Sequence, residues 1–190
     1  FDHFSGHGPV PPTIIISMIA LVENKNKLKT YAFKRKGNNL FVLGNFVEDI
    51  GSSEYLEFYH GITESPLPYF NINDEIIIQK ALKKLHQHDL IKSASPIGKG
   101  GLFFALLRAA VPSELGFDIT TITESRIDSF LFGEAMGRII VEVEPEKEDN
   151  FVDCLTELKL NMFTLGHITK GEVRIDDKSL GFIDKMTPGA

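Results

Sequence analysis

The sequence has few of the residues on which several large classes of protein depend. It contains one cysteine, Cys154, among 190 residues, so no disulfide can form within the chain and thiolates cannot gather around a zinc ion. Its 20 Lys and Arg are dispersed and are outnumbered by 26 Asp and Glu. Nucleic-acid binding needs a concentrated basic surface that neutralises phosphates, so we expect no nucleic-acid partner.

Long apolar segments are also missing. The longest, roughly residues 14–22, is interrupted by Ser17 and is too short to cross a bilayer, and it lacks the flanks of a signal peptide. We therefore expect no membrane partner and a cytoplasmic location. The chain begins at Phe1 rather than at Met, and we expect it to be a fragment of a larger protein.

Familiar catalytic motifs are absent from the sequence as well. It contains no Walker A loop, HExxH, CxxC, GxGxxG or nucleophile elbow. His60 and His167 have no recognisable acidic partner, and the Gly- and Pro-rich surroundings of His3 and His7 do not favour a helical metal site. From the residues alone we assign no catalytic residue and no metal ligand.

The hydrophobic pattern predicts an α+β fold, a mixed sheet with flanking helices. Helices are predicted at 51–61 and 73–91, after Gly101, and after Pro145. The first strand should be buried on both faces because it is apolar almost throughout. Predicted strands cover residues 13–22, 28–34, 39–44, 116–120, 137–145, 163–169, 172–176 and 179–183.

A glycine-rich stretch, SASPIGKGGL at residues 93–102, precedes the predicted buried helix. Gly98, Gly100 and Gly101 allow positive φ and expose backbone N–H groups, and the helix adds the positive end of its dipole. Lys99 adds a full charge, so the loop favours a bound phosphate or another anion. The alternative is a turn whose glycines serve only tight packing of a strand against a helix.

A second candidate constellation is DSFLFGEAMGR at residues 128–138. Glu134 and Arg138 are four residues apart and would form an ion pair if the segment were helical. Alternatively both face a cleft, in which the Arg138 guanidinium receives an anion.

Six segments, taken in order, resemble phosphoribosylformylglycinamidine synthase, in the C-terminal type of domain that it shares with aminoimidazole ribonucleotide synthetase. The resemblance implies a three-layer, partly ferredoxin-like domain at residues 27–190, preceded at 1–26 by the last loop and strand of an ATP-binding domain. The segments are PPTIIISMIALVE, NLFVLGN, GSSEYLEFYHG, SASPIGKGGLFFALLRAA, LFGEAMGRIIVEVEPE and LGHITKGEVRI.

The resemblance also implies an activity. The family's ligase uses ATP, Mg²⁺ and glutamine-derived ammonia to convert formylglycinamide ribonucleotide to its amidine in purine biosynthesis. Its partners would be the ATP-binding domain and the glutaminase. Without them, this chain alone should be inactive and should bind no cofactor tightly. The alternative is a catalytically silent relative that serves as a binding or assembly module. A thiamine-phosphate kinase or selenophosphate synthetase is disfavoured by GSSEYLEFYHG.

The glycine-rich loop departs from the family pattern, Ser-Ala-His-Asp-Ile/Val-Ser-Asp/Glu-Gly-Gly-Leu. Ser95, Pro96, Gly98 and Lys99 replace the His, Asp, Ser and acid, while the glycines that follow remain. Lysine in place of the acid inverts the local charge, so Mg²⁺ could not occupy the same place. The residues expected to meet substrate or phosphate are Gly98, Lys99, Gly100, Gly101, Glu134 and Arg138.

The apolar segment 14–22 carries one further expectation. A strand separated from its own sheet must be covered by other protein surface. We therefore expect either a homodimer or an arm tucked against the domain.

Overall fold

The computed structural model describes residues 4–5, 8–9, 14–22, 24–122 and 125–186. Strands β1 (Phe4–Ser5) and β2 (Gly8–Pro9) pair with each other in antiparallel fashion. The larger sheet contains β3 (Asn39–Leu43), β4 (Ser93–Pro96), β5 (Gly116–Ile119), β6 (Ile139–Val143), β7 (Met162–Thr169), β8 (Glu172–Ile175) and β9 (Lys178–Phe182). The α-helices are α1 (Ile72–Gln87), α2 (Gly101–Ala110), α3 (Ile127–Phe132) and α4 (Glu148–Glu157).

The seven strands lie in the order β4-β6-β3-β7-β5-β8-β9. The pair β5 and β8 is parallel and the other neighbouring pairs are antiparallel. Shorter helical turns occur at Lys25–Lys27, Tyr55–Tyr59, Val111–Ser113, Pro145–Lys147 and Ile183–Lys185. The predicted α+β class, a mixed sheet with flanking helices, is confirmed.

Successive residues of β3 point to opposite faces of the sheet, as the pleat requires. Leu40 and Val42 belong to one hydrophobic core, which α2 and α3 cover, and Phe41 and Leu43 belong to another, which α1 and α4 cover. All four side chains are at most 2% exposed. The domain therefore has three layers, with the sheet between two pairs of helices.

Helix α1 begins where its sequence signals predict and ends earlier. The Asn71 side chain accepts a hydrogen bond from the Asn73 backbone N–H, 2.9 Å, and so caps the helix. Although residues 73–91 were predicted as helix, α1 stops at Gln87. Asp89 has a left-handed φ of 52°, and the Leu90 N–H donates to the Leu85 carbonyl at 2.9 Å. A left-handed residue with this bonding pattern is a common helix ending.

The strand predicted at residues 28–34 is wrong. It is reduced to one parallel bridge between Thr30 and Ser93 at the edge of β4. The Phe33 N–H donates instead to the Ala109 carbonyl of α2, 2.9 Å, because the Phe33 side chain is buried in the core that α2 covers. The chain therefore crosses away from β4 after one bridge.

The buried strand predicted at 13–22 is also wrong, for the residues 14–22 that the structure describes. They join no strand within the described ranges, and their large apolar side chains are between 59% and 97% exposed. The arm is therefore not tucked against the domain. The hydrophobicity of the segment indicates that it needs cover, but it does not say which surface provides that cover.

One buried carboxylate holds the segment before β3 against the sheet. Glu142 of β6 is fully buried and accepts hydrogen bonds from the backbone N–H groups of Lys34 and Arg35, at 2.9 and 3.0 Å. It also accepts from Asn38 Nδ2 at 2.6 Å and from Ser93 Oγ at 2.9 Å. Because four donors surround it, the carboxylate is satisfied without a basic partner.

We expect Glu142→Gln to lower the free energy of unfolding by about 2–3 kcal/mol, because the amide NH₂ would face donors that require an acceptor. Urea unfolding followed by circular dichroism measures the change. Glu64→Gln is the matched control, since Glu64 is exposed on the surface and should leave the midpoint unchanged. Equal midpoints for the two variants would contradict the role assigned to Glu142.

Asp89 sits among three lysines at the end of α1. Its carboxylate contacts Lys147 at 2.8 Å, pairs closely with Lys29, and lies 3.6 Å from Lys92. Hydrogen bonds from Lys147 and then Lys29 hold the pKa of Asp89 well below its usual range. A pKa that is lower in the folded state gives stability above the unfolded-state pKa, and this stability is lost as the pH falls.

We therefore expect Asp89→Asn to destabilise the protein at pH 7 and to have a progressively smaller effect below about pH 4, the pKa of Asp in an unfolded chain. Urea midpoints of both proteins, measured between neutral and acidic pH, test this. A penalty that stays constant over the acidic range would show that the lysines do not act through the charge of Asp89.

Candidate functional site

A cleft of about 770 Å³ opens beside the first turn of α2. One wall is the helical turn at Tyr55–Tyr59, and the opposite wall is the glycine-rich loop together with α2. Of the residues predicted to form a site, Lys99 and Gly100 line this cleft. The structure thus places the predicted loop beside this cleft.

The two glycines that start α2 have backbone angles that favour glycine. Gly100 and Gly101 have φ values of 80° and 71°, in the left-handed region. A Cβ atom on Gly101 would lie 2.6 Å from the backbone of Phe132, at the end of α3. The packing interpretation of the loop therefore holds for Gly101, which lets two helices approach closely.

Glu134 fills the position that the sequence suggested for an outside anion. Its Oε1 atom accepts hydrogen bonds from the Gly100 N–H at 2.9 Å and from the Glu54 N–H at 2.7 Å. The carboxylate therefore meets the positive end of α2, an arrangement that stabilises a helix N-terminus.

The predicted pairing of Glu134 with Arg138 does not form, and Arg138 does not face the cleft. Arg138 is only 3% exposed, and it donates through Nε to the Ala135 carbonyl at 3.1 Å and through Nη2 to the Gly133 carbonyl at 2.7 Å. The helical pairing was wrong because α3 ends at Phe132, so residues 134 and 138 are not on one helix. Burial lowers the pKa of Arg138 to about 10, opposed by Asp49, and the guanidinium stays charged at neutral pH.

Two cations lie at the rim of the cleft. Lys99 is exposed, and its Nζ atom lies 2.7 Å from Glu54 Oε1; this hydrogen bond raises the pKa of Lys99. Arg108, in the last turn of α2, donates from Nη1 to the Lys99 carbonyl at 2.9 Å. The rim therefore presents a Lys99–Glu54 ion pair and the Arg108 guanidinium beside an apolar wall.

Aromatic side chains form that wall, and sequence reasoning did not identify it. Tyr55 lies between Tyr59 and Phe132, with ring centroids 5.4 and 5.0 Å apart and interplanar angles of 9° and 12°. Phe58 and Tyr59 are 78% and 76% exposed. The i,i+4 spacing of Tyr55 and Tyr59 in YLEFY predicts that they touch on a helical turn, and Phe132 could be added only from the tertiary structure.

The predicted helix at 51–61 is a single π-helical turn with helical residues at each end. Ser53 Oγ accepts from the Leu56 N–H at 3.3 Å, and Gly61 follows with a φ of 68°. The start and stop signals were therefore interpreted correctly. Turns of the π type often occur at functional sites.

The residues at the loop do not fit a magnesium ion. The carboxylates that reach it, Glu54 and Glu134, are engaged by the ammonium group of Lys99 and by backbone N–H groups. Among the described residues no group of three or more His, Cys, Asp or Glu could hold a metal; His3 and His7 lie outside those residues.

In the same ranges no helix is long and apolar enough to cross a membrane.

The architecture and the loop together define a known class of domain, a three-layer α+β domain with a glycine-rich loop before a buried helix. The model of the family described as AIR synthase related protein, C-terminal domain, matches residues 35–178. The chain belongs to this family.

Several curated relatives that it matches carry the name phosphoribosylformylglycinamidine synthase subunit PurL. The protein from Alkaliphilus metalliredigens is 30% identical over 190 residues, covering 96% of this chain and 26% of the relative. The protein from Carboxydothermus hydrogenoformans is 32% identical over 177 residues, covering 92% and 24%. This chain thus spans about a quarter of the length of these relatives.

Solved structures show the same fold. PurL of Thermotoga maritima complexed with FGAR aligns with a TM-score of 0.72 and 14% identity, over 87% of this chain and 32% of that one. Thiamine-monophosphate kinase of Stenotrophomonas maltophilia aligns with a TM-score of 0.58 and 14% identity, over 82% and 55%. At this identity the likeness concerns the fold alone.

The two glycines of the loop that differ most in their surroundings provide a matched test of the packing role. We expect Gly101→Ala to destabilise the protein by about 2–4 kcal/mol, through the clash with Phe132 and the left-handed φ. At Gly98 a Cβ atom would meet nothing within 4 Å, so Gly98→Ala should change the stability by less than about 0.5 kcal/mol. Thermal and urea unfolding measure both variants; similar losses would contradict the packing argument.

Proposed function

We propose that this chain is the C-terminal-type domain of one half of a PurL-type phosphoribosylformylglycinamidine synthase. The observation that carries the proposal is the convergence of three family-like segments on one cleft. The turn 51–61 supplies Glu54 and two tyrosines, the loop 93–102 supplies Lys99 and Gly100, and the third segment supplies Phe132. Glu134 of the third segment joins the other two through its hydrogen bonds. Segments far apart in the sequence meet where a ligand can bind.

The cleft, in this proposal, forms part of the wall around a nucleotide or a substrate phosphate. Lys99 and Arg108 offer positive charge at its rim, and exposed rings of the aromatic wall offer faces on which a base can stack. Gly98 lies on the open side of the loop, whereas Gly100 and Gly101 shape it. Glu134 and Arg138 would contribute through the loop and not by direct contact.

The activity of the whole synthase would require more chain than this. We propose that residues 1–26 belong to a preceding ATP-binding domain, and that this domain, a glutaminase or a second copy of the chain covers the exposed segment 14–22. ATP and Mg²⁺ would act in the complete enzyme, in the cytoplasm. The complete enzyme would convert formylglycinamide ribonucleotide to its amidine, and the isolated chain would be inactive.

A second candidate is a catalytically silent relative that serves as a binding or assembly module. The observation that favours it is the loop itself, where Pro96 and Lys99 stand in place of acids and Glu134 engages the Gly100 N–H. The full-length gene separates the two proposals. An upstream ATP-binding half with intact acidic motifs favours the synthase.

Titration calorimetry of this chain with ATP, ADP and formylglycinamide ribonucleotide, with and without Mg²⁺, tests the ligand. We expect weak binding of at least one of them, and a loss of about ten-fold in affinity when Lys99 and Arg108 are both changed to alanine. Lys178→Ala is the matched control, because Lys178 is an exposed lysine on β9. Absence of heat with all three ligands would favour the silent module.

A further inference from the structure

The carboxylate of Glu134 connects three parts of the chain at one atom. Its Oε1 accepts from Glu54 at the start of the aromatic turn, 80 residues away in sequence, and from Gly100 at the start of α2, 34 residues away. These two N–H groups belong to two different segments that line the cleft. One carboxylate oxygen atom therefore holds the two segments at a fixed distance from each other.

Arg138 holds the backbone on both sides of Glu134. Its guanidinium donates to the carbonyl of Gly133, the residue before, and to that of Ala135, the residue after. A planar guanidinium with donors at fixed angles is suited to binding two carbonyl groups in one geometry. Arg138 is almost wholly buried, so this contact is made from inside the domain, while the Glu134 carboxylate reaches two residues that line the cleft.

We infer that Arg138 and Glu134 act in series as positioning residues: Arg138 fixes the backbone around Glu134, and Glu134 sets the spacing of the two cleft walls. Because the carboxylate already engages the Gly100 N–H, an incoming anion is left with two side-chain cations, Arg108 and Lys99, and must compete with Glu54 for Lys99. The inference concerns how the cleft is held, and it does not depend on which ligand the synthase proposal assigns to it.

Hydrogen exchange of the Gly100 and Glu54 amides, followed by NMR on the full chain, tests the inference. In Glu134→Ala we expect both amides to exchange about ten-fold faster or more, since each loses a charge-assisted hydrogen bond. Formate should restore their protection in this variant, because it can occupy the vacated position, and chloride at equal ionic strength should not. No loss of protection, or no effect of formate, would overturn the role of Glu134.

Arg138 touches neither amide, so its variant tests the series. In Arg138→Met we expect faster exchange at the same two amides, beyond any change at reporter amides in β7. Val173→Ala, at a fully buried position of β8, is the control for general destabilisation, and it should change all amides in proportion to global stability. If Arg138→Met behaves like this control, Arg138 is not a positioning residue and the series is wrong.

Discussion

Alternate residues of β3 enter two separate hydrophobic cores, and the placement of every helix follows from this division. Leu40 and Val42 require cover on one face of the sheet, and Phe41 and Leu43 require it on the other. Two helices pack against each face, α2 and α3 on one and α1 and α4 on the other. A slip of one residue in β3 would exchange the two sets, so the pairing of β3 with β6 and β7 fixes the whole arrangement.

The cleft results from how tightly one of these layers is built. Gly101 allows the start of α2 to touch the end of α3, and the chain then turns at Gly133 and presents Glu134 to the helix N-terminus. A carboxylate at this point compensates N–H groups that the helix itself cannot satisfy. The Glu134 carboxylate also binds the Glu54 N–H and so holds the helical turn Tyr55–Tyr59 beside the loop. Packing and electrostatics thus build the site together.

The hydrophobic pattern predicted those elements whose buried faces are covered by other described parts of the chain. Strand β6 and helices α1 and α2 were found because their burial patterns are complete within the chain. Segment 14–22 failed because its apolar residues carry no information about which surface covers them. At the site, Lys99 and Gly100 of the predicted loop line the cleft. The bonds of Glu134 and the burial of Arg138 could not be predicted, because they depend on where α3 ends and on contacts distant in sequence.

The exposed segment 14–22 has a consequence for how the chain behaves in solution. Nine consecutive residues without a charge or a proline, rich in isoleucine, have the composition of segments that assemble into cross-β structure. Association with a covering surface and self-association therefore compete for the same side chains, and the outcome depends on concentration. A protein surface that covers this segment would therefore also reduce the self-association of the domain.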